Sequence, residues 1–197
     1  MKYIYPILFL LLVVLAGCSD DDLYLEESVF IEDPEVPGLP IYSEYGYNTF
    51  GVRYDRDVIT NNTADYPLKV IVSDGSCSFN FNGRKDYYND FNITLKLDNY
   101  LPNDEYDLLD LNNQVIDLTG EQVDVEIEDN GKEESVEILN GQFTFKKVQR
   151  LTVDEVESGV ILSGVFDFKA IINGEPVAFS YGRFDVIISY SNFFVLN

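Results

Sequence analysis

From about Asn48 to the end of the chain, apolar residues recur with period two, and glycine- and asparagine-bearing turns punctuate them. Phe50, Val52 and Tyr54 alternate, as do Cys77, Phe79 and Phe81, then Phe91, Ile93, Leu95 and Leu97, with a denser apolar run from Leu68 to Val72. No helical period is sustained over twelve residues, so this region reads as antiparallel strands. A two-residue Asn-Gly turn sharpens the reading, because it fixes which residues stand opposite each other and partners must point to one side. Around Asn173-Gly174 it sets Ala170 against Val177, Phe168 against Phe179 and Phe166 against Tyr181. Around Asn130-Gly131 it sets Val125 against Val136 and Val123 against Ile138. Around Asn140-Gly141 it sets Ile138 against Phe143 and Val136 against Phe145. The stretch from Gln122 to Val148 is thus expected to be a three-stranded meander with one inner face.

After Tyr181 the apolar parity changes from odd (Val177, Phe179, Tyr181) to even (Phe184, Val186, Ile188), with Gly182 at the change. A one-residue bulge at Gly182 restores the face and bends the strand. It also predicts Phe184 opposite Gly164, Val186 opposite Leu162 and Ile188 opposite Val160, so that a phenylalanine covers a glycine gap. Long bulged strands favour a barrel-like closed sheet or a sandwich with bent corners over a flat sheet. The expected fold is a single all-β antiparallel domain of about 8–10 strands over residues 47–197, barrel-like or sandwich.

The N-terminus has a different character. Lys2 precedes an unbroken apolar stretch from Ile7 to Ala16, which ends in Leu15-Ala16-Gly17-Cys18. The stretch is about half the roughly 20 residues a membrane-crossing helix needs, so it reads as a signal peptide over residues 1–17. Leu-Ala-Gly-Cys resembles the lipobox of bacterial lipoproteins, and that resemblance implies that Cys18 is lipidated and begins the mature protein. Several acyl chains anchor stably where one is marginal, at about 0.8 kcal/mol per buried methylene. The following Ser19-Asp20-Asp21-Asp22 resembles the acidic export tract that sends lipoproteins of Bacteroidota to the outer face of the outer membrane. Residues 18–46 carry many acids and no base, and Pro34, Pro37, Gly38 and Pro40 interrupt any regular element. This segment is expected to be a disordered, extended tether.

Charge and residue usage exclude several function classes. A formal net charge of −22 repels phosphate backbones and anionic lipid, which argues against nucleic-acid binding and against a basic membrane patch. The chain has two cysteines and no histidine. With Cys18 committed to lipid, Cys77 has no disulfide partner, and its parity with Phe79 and Phe81 makes it a buried thiol. Without histidine there is no Ser-His or Cys-His pair and no imidazole metal ligand, and no phosphate-cradling glycine loop or cofactor-binding motif occurs. Glycosidase chemistry needs only two carboxylates, which 35 acids supply without specificity.

Leu162-Ser163-Gly164-Val165-Phe166-Asp167-Phe168, followed by Tyr181-Gly182-Arg183-Phe184-Asp185-Val186, with Asn48-Thr49-Phe50-Gly51 ahead of both, resembles uncharacterised small surface lipoproteins of Bacteroidota. The likeness is most specific in the last third of the domain, and residues 60–120 depart from it. It implies localisation and fold and carries no catalytic residue across.

One loop stands out as a candidate site. A two-residue turn at Asn82-Gly83 would face Phe79 with Asp86, so a longer loop from Asn82 to Asp90 is expected, presenting Arg84, Lys85, Asp86, Tyr87, Tyr88 and Asn89. Flat aromatic faces beside forked hydrogen-bonding groups suit sugars, and equally a protein hot spot; an ordinary solvated loop is the plain alternative. On the expected meander, Asp124 would face Glu137 and Glu128 would face Glu133, with Glu126 between. Calcium could bridge such acids, but the spacing, like that of Asp104, Asp107 and Asp110, matches no loop motif, and solvated charge that blocks edge association is the simpler reading. The sequence therefore points to a non-enzymatic, lipid-anchored recognition protein for carbohydrate or protein. An accessory subunit of an outer-membrane complex is the alternative, and a hydrolase the third.

Overall fold

The computed structural model describes residues 27–61, 66–86 and 88–196. The expected signal peptide and Cys18 lie outside the described residues. Among the described residues the domain is all-β: twelve strands in one sheet that does not close into a barrel, together with one short 3₁₀ helix. The strands are β1 (Thr49–Tyr54), β2 (Asp57–Thr60), β3 (Leu68–Ser73), β4 (Ser76–Arg84), β5 (Asp90–Asp98), β6 (Val115–Asp117), β7 (Val123–Asp129), β8 (Lys132–Glu133), β9 (Val136–Val153), β10 (Val156–Ile172), β11 (Glu175–Ile188) and β12 (Phe193–Val195). The excess over the expected count comes from pieces of two to four residues, β2, β6, β8 and β12, too short to show a period.

Neighbours run β6-β9-β10-β11-β1-β2-β4-β5-β7-β8, with β3 on β4 and β12 on β3. Pairing is antiparallel except between β12 and β3. Among the described residues, the strand ladder between the two halves is narrow, one pair from Thr60 of β2 to Arg84 of β4. The sheet bends there and its inner faces meet. Phe81 of β4 lies 5.6 Å from Phe143 of β9, 5.1 Å from Phe184 of β11 and 5.2 Å from Phe50 of β1, measured between ring centroids. Phe143 stacks on Phe166 at 4.3 Å and Phe168 on Phe179 at 4.2 Å. All seven rings are buried, and such pairs add about 0.5–1.5 kcal/mol each beyond area burial. The 3₁₀ helix Glu105–Leu111, begun by an Asp104 side chain that accepts from the Tyr106 and Asp107 amides, packs Leu108 and Leu111 into this layer.

The β10–β11 hairpin follows the sequence expectation for most of its length. Ala170 faces Val177 and Phe168 faces Phe179; beyond the bulge, Phe184 faces Gly164, Val186 faces Leu162 and Ile188 faces Val160. The third expected pair fails, because Ser180 and Tyr181 together oppose Asp167 and Phe166 faces Gly182. Phe184 does cover Gly164, where a Cβ would lie 2.5 Å from its ring and 2.3 Å from the Thr144 carbonyl oxygen.

The expected meander is corrected. β7 and β8 keep the predicted register but form only two pairs, Glu128 with Glu133 and Asp129 with Lys132. The chain then leaves to pair with β10, so Asp124 never meets Glu137, which faces Ile171 instead. Asn140-Gly141 is no turn. β9 runs straight through it for 18 residues, with Asn140 opposite Lys169 and Gly141 opposite Phe168. The parity change between Ile138 and Phe143 is made by a bulge at Leu139, and Gly141 is needed because a Cβ there would sit 2.2 Å from that of Phe168.

The latter part of the expected tether also differs, because it docks. Val29 donates to the Tyr47 carbonyl and Ile41 to that of Ile31, and a bridge joins Glu32 to Pro40. Leu39 is fully buried, and Pro40 fills the space over Gly51. Two residues of β11 hold this segment down. Arg183 pairs with Asp33 at 2.5 Å and donates to the Pro40 carbonyl at 3.2 Å, keeping the Asp33 carboxyl below its usual range. Asp185, 1% exposed, accepts from the Ser43 and Ser163 hydroxyls and from the amides of Tyr45, Gly46 and Tyr47. A carboxylate can be buried without a cation when donors surround it in this way. The acids and prolines that suggested a solvated tether are here a paired charge and a set of turns.

Three outcomes follow. Asp185→Asn replaces an acceptor-only group with one that also presents donors to donors. It should cost about 3 kcal/mol and open residues 43–47 to hydrogen exchange; unchanged protection of the Gly46 and Tyr47 amides would refute the clamp. Gly164→Ala should destabilise the fold by about 1–3 kcal/mol, read as a lower denaturant midpoint at an unchanged slope; an unaltered midpoint would mean that Phe184 does not lie over residue 164. Cys77 is fully buried, and burial pushes its thiol up to about 12. It should resist thiol reagents in the native protein at about pH 8 and react fully in denaturant; rapid native labelling would contradict its place in the core.

Candidate functional site

The candidate loop is shorter and stiffer than its sequence suggests. β4 continues through Asn82, which faces Asn92, and Gly83, which faces Phe91, to a last pair between Arg84 and Asp90. The turn proper is residues 85–89. Asn82-Gly83 stays in the strand because Gly83 is a packing position: a Cβ there would fall 2.6 Å from Ile59 and 3.1 Å from Phe50.

Within the loop, Lys85 donates its amide to the Asn89 carbonyl at 2.9 Å. Asp86 accepts from the amides of Tyr88 at 2.8 Å and Asn89 at 3.0 Å, and from the Asn89 side chain at 2.6 Å. These donors hold the Asp86 carboxyl below the usual carboxylate range. The Lys85 ammonium pairs with Asp129 and lies 4.6 Å from the Phe91 ring centroid and 5.1 Å from that of Tyr54. Asn130 of the β7–β8 turn donates to the Asn89 side chain at 3.0 Å. Arg84 closes the strand pair on Asp90 at 2.7 Å.

Of the five residues singled out in the sequence, Lys85 and Asp86 thus shape the loop. Arg84 pairs with Asp90, and Tyr88 is 85% exposed. Tyr87 lies outside the described residues. Beside the loop, between β4, β5 and the β7–β8 turn, is a polar depression of about 280 Å³ whose lining includes Arg84, Asp90, Asn82, Asn92, Lys69 and Glu128. The sequence reading missed Lys69, Asn92 and Asp90 as parts of one site. The signal was present: once Asn82 is placed in the ladder, its outward partners on β5 and β7 are Asn92 and Glu128.

The acidic row on β7 is answered by β5. Asp124 faces Lys96, Glu126 faces Thr94, and Glu128 faces Asn92, whose side chain donates to it at 3.2 Å. Asp107 accepts from Asn103, and Asp104 caps the 3₁₀ helix. Among the described residues, no three acids or thiols gather in a way that would hold a metal ion. What remains is an array of amides, cations and carboxylates lining a polar depression, with an exposed ring on the adjoining loop, able to exchange hydrogen bonds with hydroxyl groups.

Comparison of the chain with family models, with curated proteins and with solved structures found no match.

Proposed function

We propose that this chain is a non-enzymatic lipoprotein, anchored through Cys18 to the outer membrane and exposed at the cell surface, whose β-domain recognises carbohydrate. The observation that carries the reading is the pinned loop between Arg84 and Asp90: it leaves Tyr88 85% exposed, and the two residues that close it, Arg84 and Asp90, line the depression together with Asn92. Four groups outside the ring fix the loop before any ligand arrives: Asp86, Asn89, Lys85 and Asn130. Binding then orders little and loses little entropy. Sugars offer an apolar ring face rimmed by hydroxyls, which matches an aromatic ring next to planar amides and forked charges. Both carboxylates of the lining are already engaged, Asp90 by Arg84 and Glu128 by the Asn92 amide, which favours binding over acid–base chemistry.

Ten residues separate Cys18 from Val29, where the domain's backbone bonding begins. Such a length spans at most about 36 Å, so the reading holds the domain close to the membrane. A second reading, an accessory subunit of an outer-membrane complex, has one observation in its favour. Among the described residues β12 pairs with β3 alone, and Phe194 and Val195 of this strand, with Leu196 after it, are exposed, an edge to which a partner's strand could be added.

Detergent-solubilised lipoprotein should bind a subset of an array of cell-wall and host glycans. Tyr88→Ala and Arg84→Ala should each weaken that binding by about tenfold, equivalent to roughly 1.4 kcal/mol, at an unchanged melting temperature. Full binding by both variants would remove this site. Cys18→Ala should shift the chain from the detergent phase to the aqueous phase and abolish fatty-acid labelling; continued membrane retention would refute the anchor. For the second reading, Val195→Lys should abolish co-purification of a partner while leaving glycan binding intact.

A further inference from the structure

Among the described residues, ten non-glycine residues have positive φ, and eight of them are Asn or Asp. These types tolerate the left-handed region because their short side chains bond locally. Tyr181, at φ +56°, is the one aromatic among the ten. The conformation costs a tyrosine roughly 1–3 kcal/mol, and strain of this kind persists only where the surroundings impose it. Here they do. The Arg183 Nε donates to the Tyr181 carbonyl at 3.1 Å, and Arg183 is itself fixed by Asp33 and Pro40. Phe166 occupies the space a Cβ on Gly182 would take, at 2.6 Å. The Arg53 guanidinium lies 5.7 Å from the Tyr181 ring centroid. An asparagine would make the same bulge at less cost, so bending the strand does not account for a tyrosine at this position.

The bulge presents the ring, 54% exposed, over an open groove of about 720 Å³ whose walls include Tyr42, Val165, Asp167 and Ser180. Asp167 also lines a second open depression of about 550 Å³, with Gln142, Asn140, Thr119, Leu139 and Val115. The two depressions meet at Asp167 and make one furrow across β11, β10, β9 and β6. At about 4.8 Å per strand, three intervals give a length of roughly 14 Å, which suits two or more linked sugar units rather than one. Along it stand two aromatic rings (Tyr181 and Tyr42), two carboxylates (Asp167 and Asp117), two amides and two exposed aliphatic side chains, Leu139 and Val115. The chain's net charge of −22 disfavours an acidic ligand.

We infer that this furrow is a carbohydrate-binding site for a neutral oligosaccharide chain, with one sugar ring stacked on Tyr181 and hydroxyls bonded by Asp167, Ser180 and Gln142. It lies on the outer face of the β9–β10–β11 half, whereas the Tyr88 depression lies on the outer face of the β4–β5 half. The inner faces of the two halves pack together, so the two sites open on opposite sides and a single molecule would engage two glycan strands.

Native gels cast with soluble neutral polysaccharides (xylan, β-glucan, α-mannan and galactan) and run with the detergent-solubilised lipoprotein test this. At least one polysaccharide should retard the wild-type protein. Tyr181→Asn keeps the bulge, so its melting temperature should equal or exceed that of the wild type while retardation weakens about tenfold. Tyr181→Phe keeps the ring and should be retarded as the wild type is. Three results would overturn the inference: no retardation of the wild type by any of the four polysaccharides, full retardation of Tyr181→Asn, or a lower melting temperature for Tyr181→Asn, which would make the ring structural. Tyr88→Ala in the same gels separates the two sites. Loss of retardation in Tyr88→Ala with none in Tyr181→Asn sinks the furrow alone, and the reverse sinks the Tyr88 site alone.

Discussion

Phe81 holds the two halves of this molecule face to face. Among the described residues the strand ladder between those halves narrows to one pair at Thr60 and Arg84, helped by side-chain bonds from Asn61 and Asn192, too few to keep a twelve-stranded sheet folded over. The rings of Phe50, Phe143, Phe166 and Phe184 surround Phe81 at 5.1 to 6.2 Å, and that apolar layer makes a bent sheet into a domain with two outer faces. Both candidate recognition surfaces depend on it, because each is the polar outer side of a strand whose other side contributes to the layer. Outward Asn82 precedes inward Gly83 under Ile59, and outward Asp167 lies between inward Phe166 and Phe168.

Strand identity and facing were legible wherever a turn and a parity agreed. The β10–β11 hairpin was readable down to Phe184 over Gly164 because two apolar runs of fixed spacing allow only one bulged register. Asn140-Gly141 was misleading for a physical reason. A hairpin turn and a bulge both switch the parity of the apolar residues, and a single sequence does not separate them when the true partner, β10, lies about thirty residues away. The same ambiguity shortened the β7–β8 pairing. The short strands β2, β6, β8 and β12 were invisible because two to four residues show no period.

The segments that carried the family resemblance turn out to share one place. Ser163 from the first and Asp185 from the second bond each other at 2.8 Å, and Asn48 from the third accepts from the Ile187 amide at 2.9 Å. Together with Arg183 they form the surface on which residues 31–47 dock. A buried carboxylate answered by two hydroxyls and three backbone amides leaves no sequence signature, since the amides can belong to any residue. Composition alone therefore assigned this stretch to the tether. Of the Arg84 to Tyr88 loop, the sequence showed the residue types but not their division of labour; which side chain is spent on Asp129 or on the loop's own amides depends on neighbours more than forty positions away.

The proposed account makes the molecule a rigid two-faced reader of glycan, held near the membrane by a clamped N-terminal segment. The measurement that tests it most directly is the map of backbone-amide chemical shifts in the isotopically labelled lipoprotein, in detergent micelles, as a glycan fragment that it binds is added. The account predicts shifts confined to residues 84–92 and to the furrow around Asp167 and Tyr181, with the amides of β12 and β8 unmoved. Shifts concentrated on those edge strands, or spread through the phenylalanine layer, would contradict it.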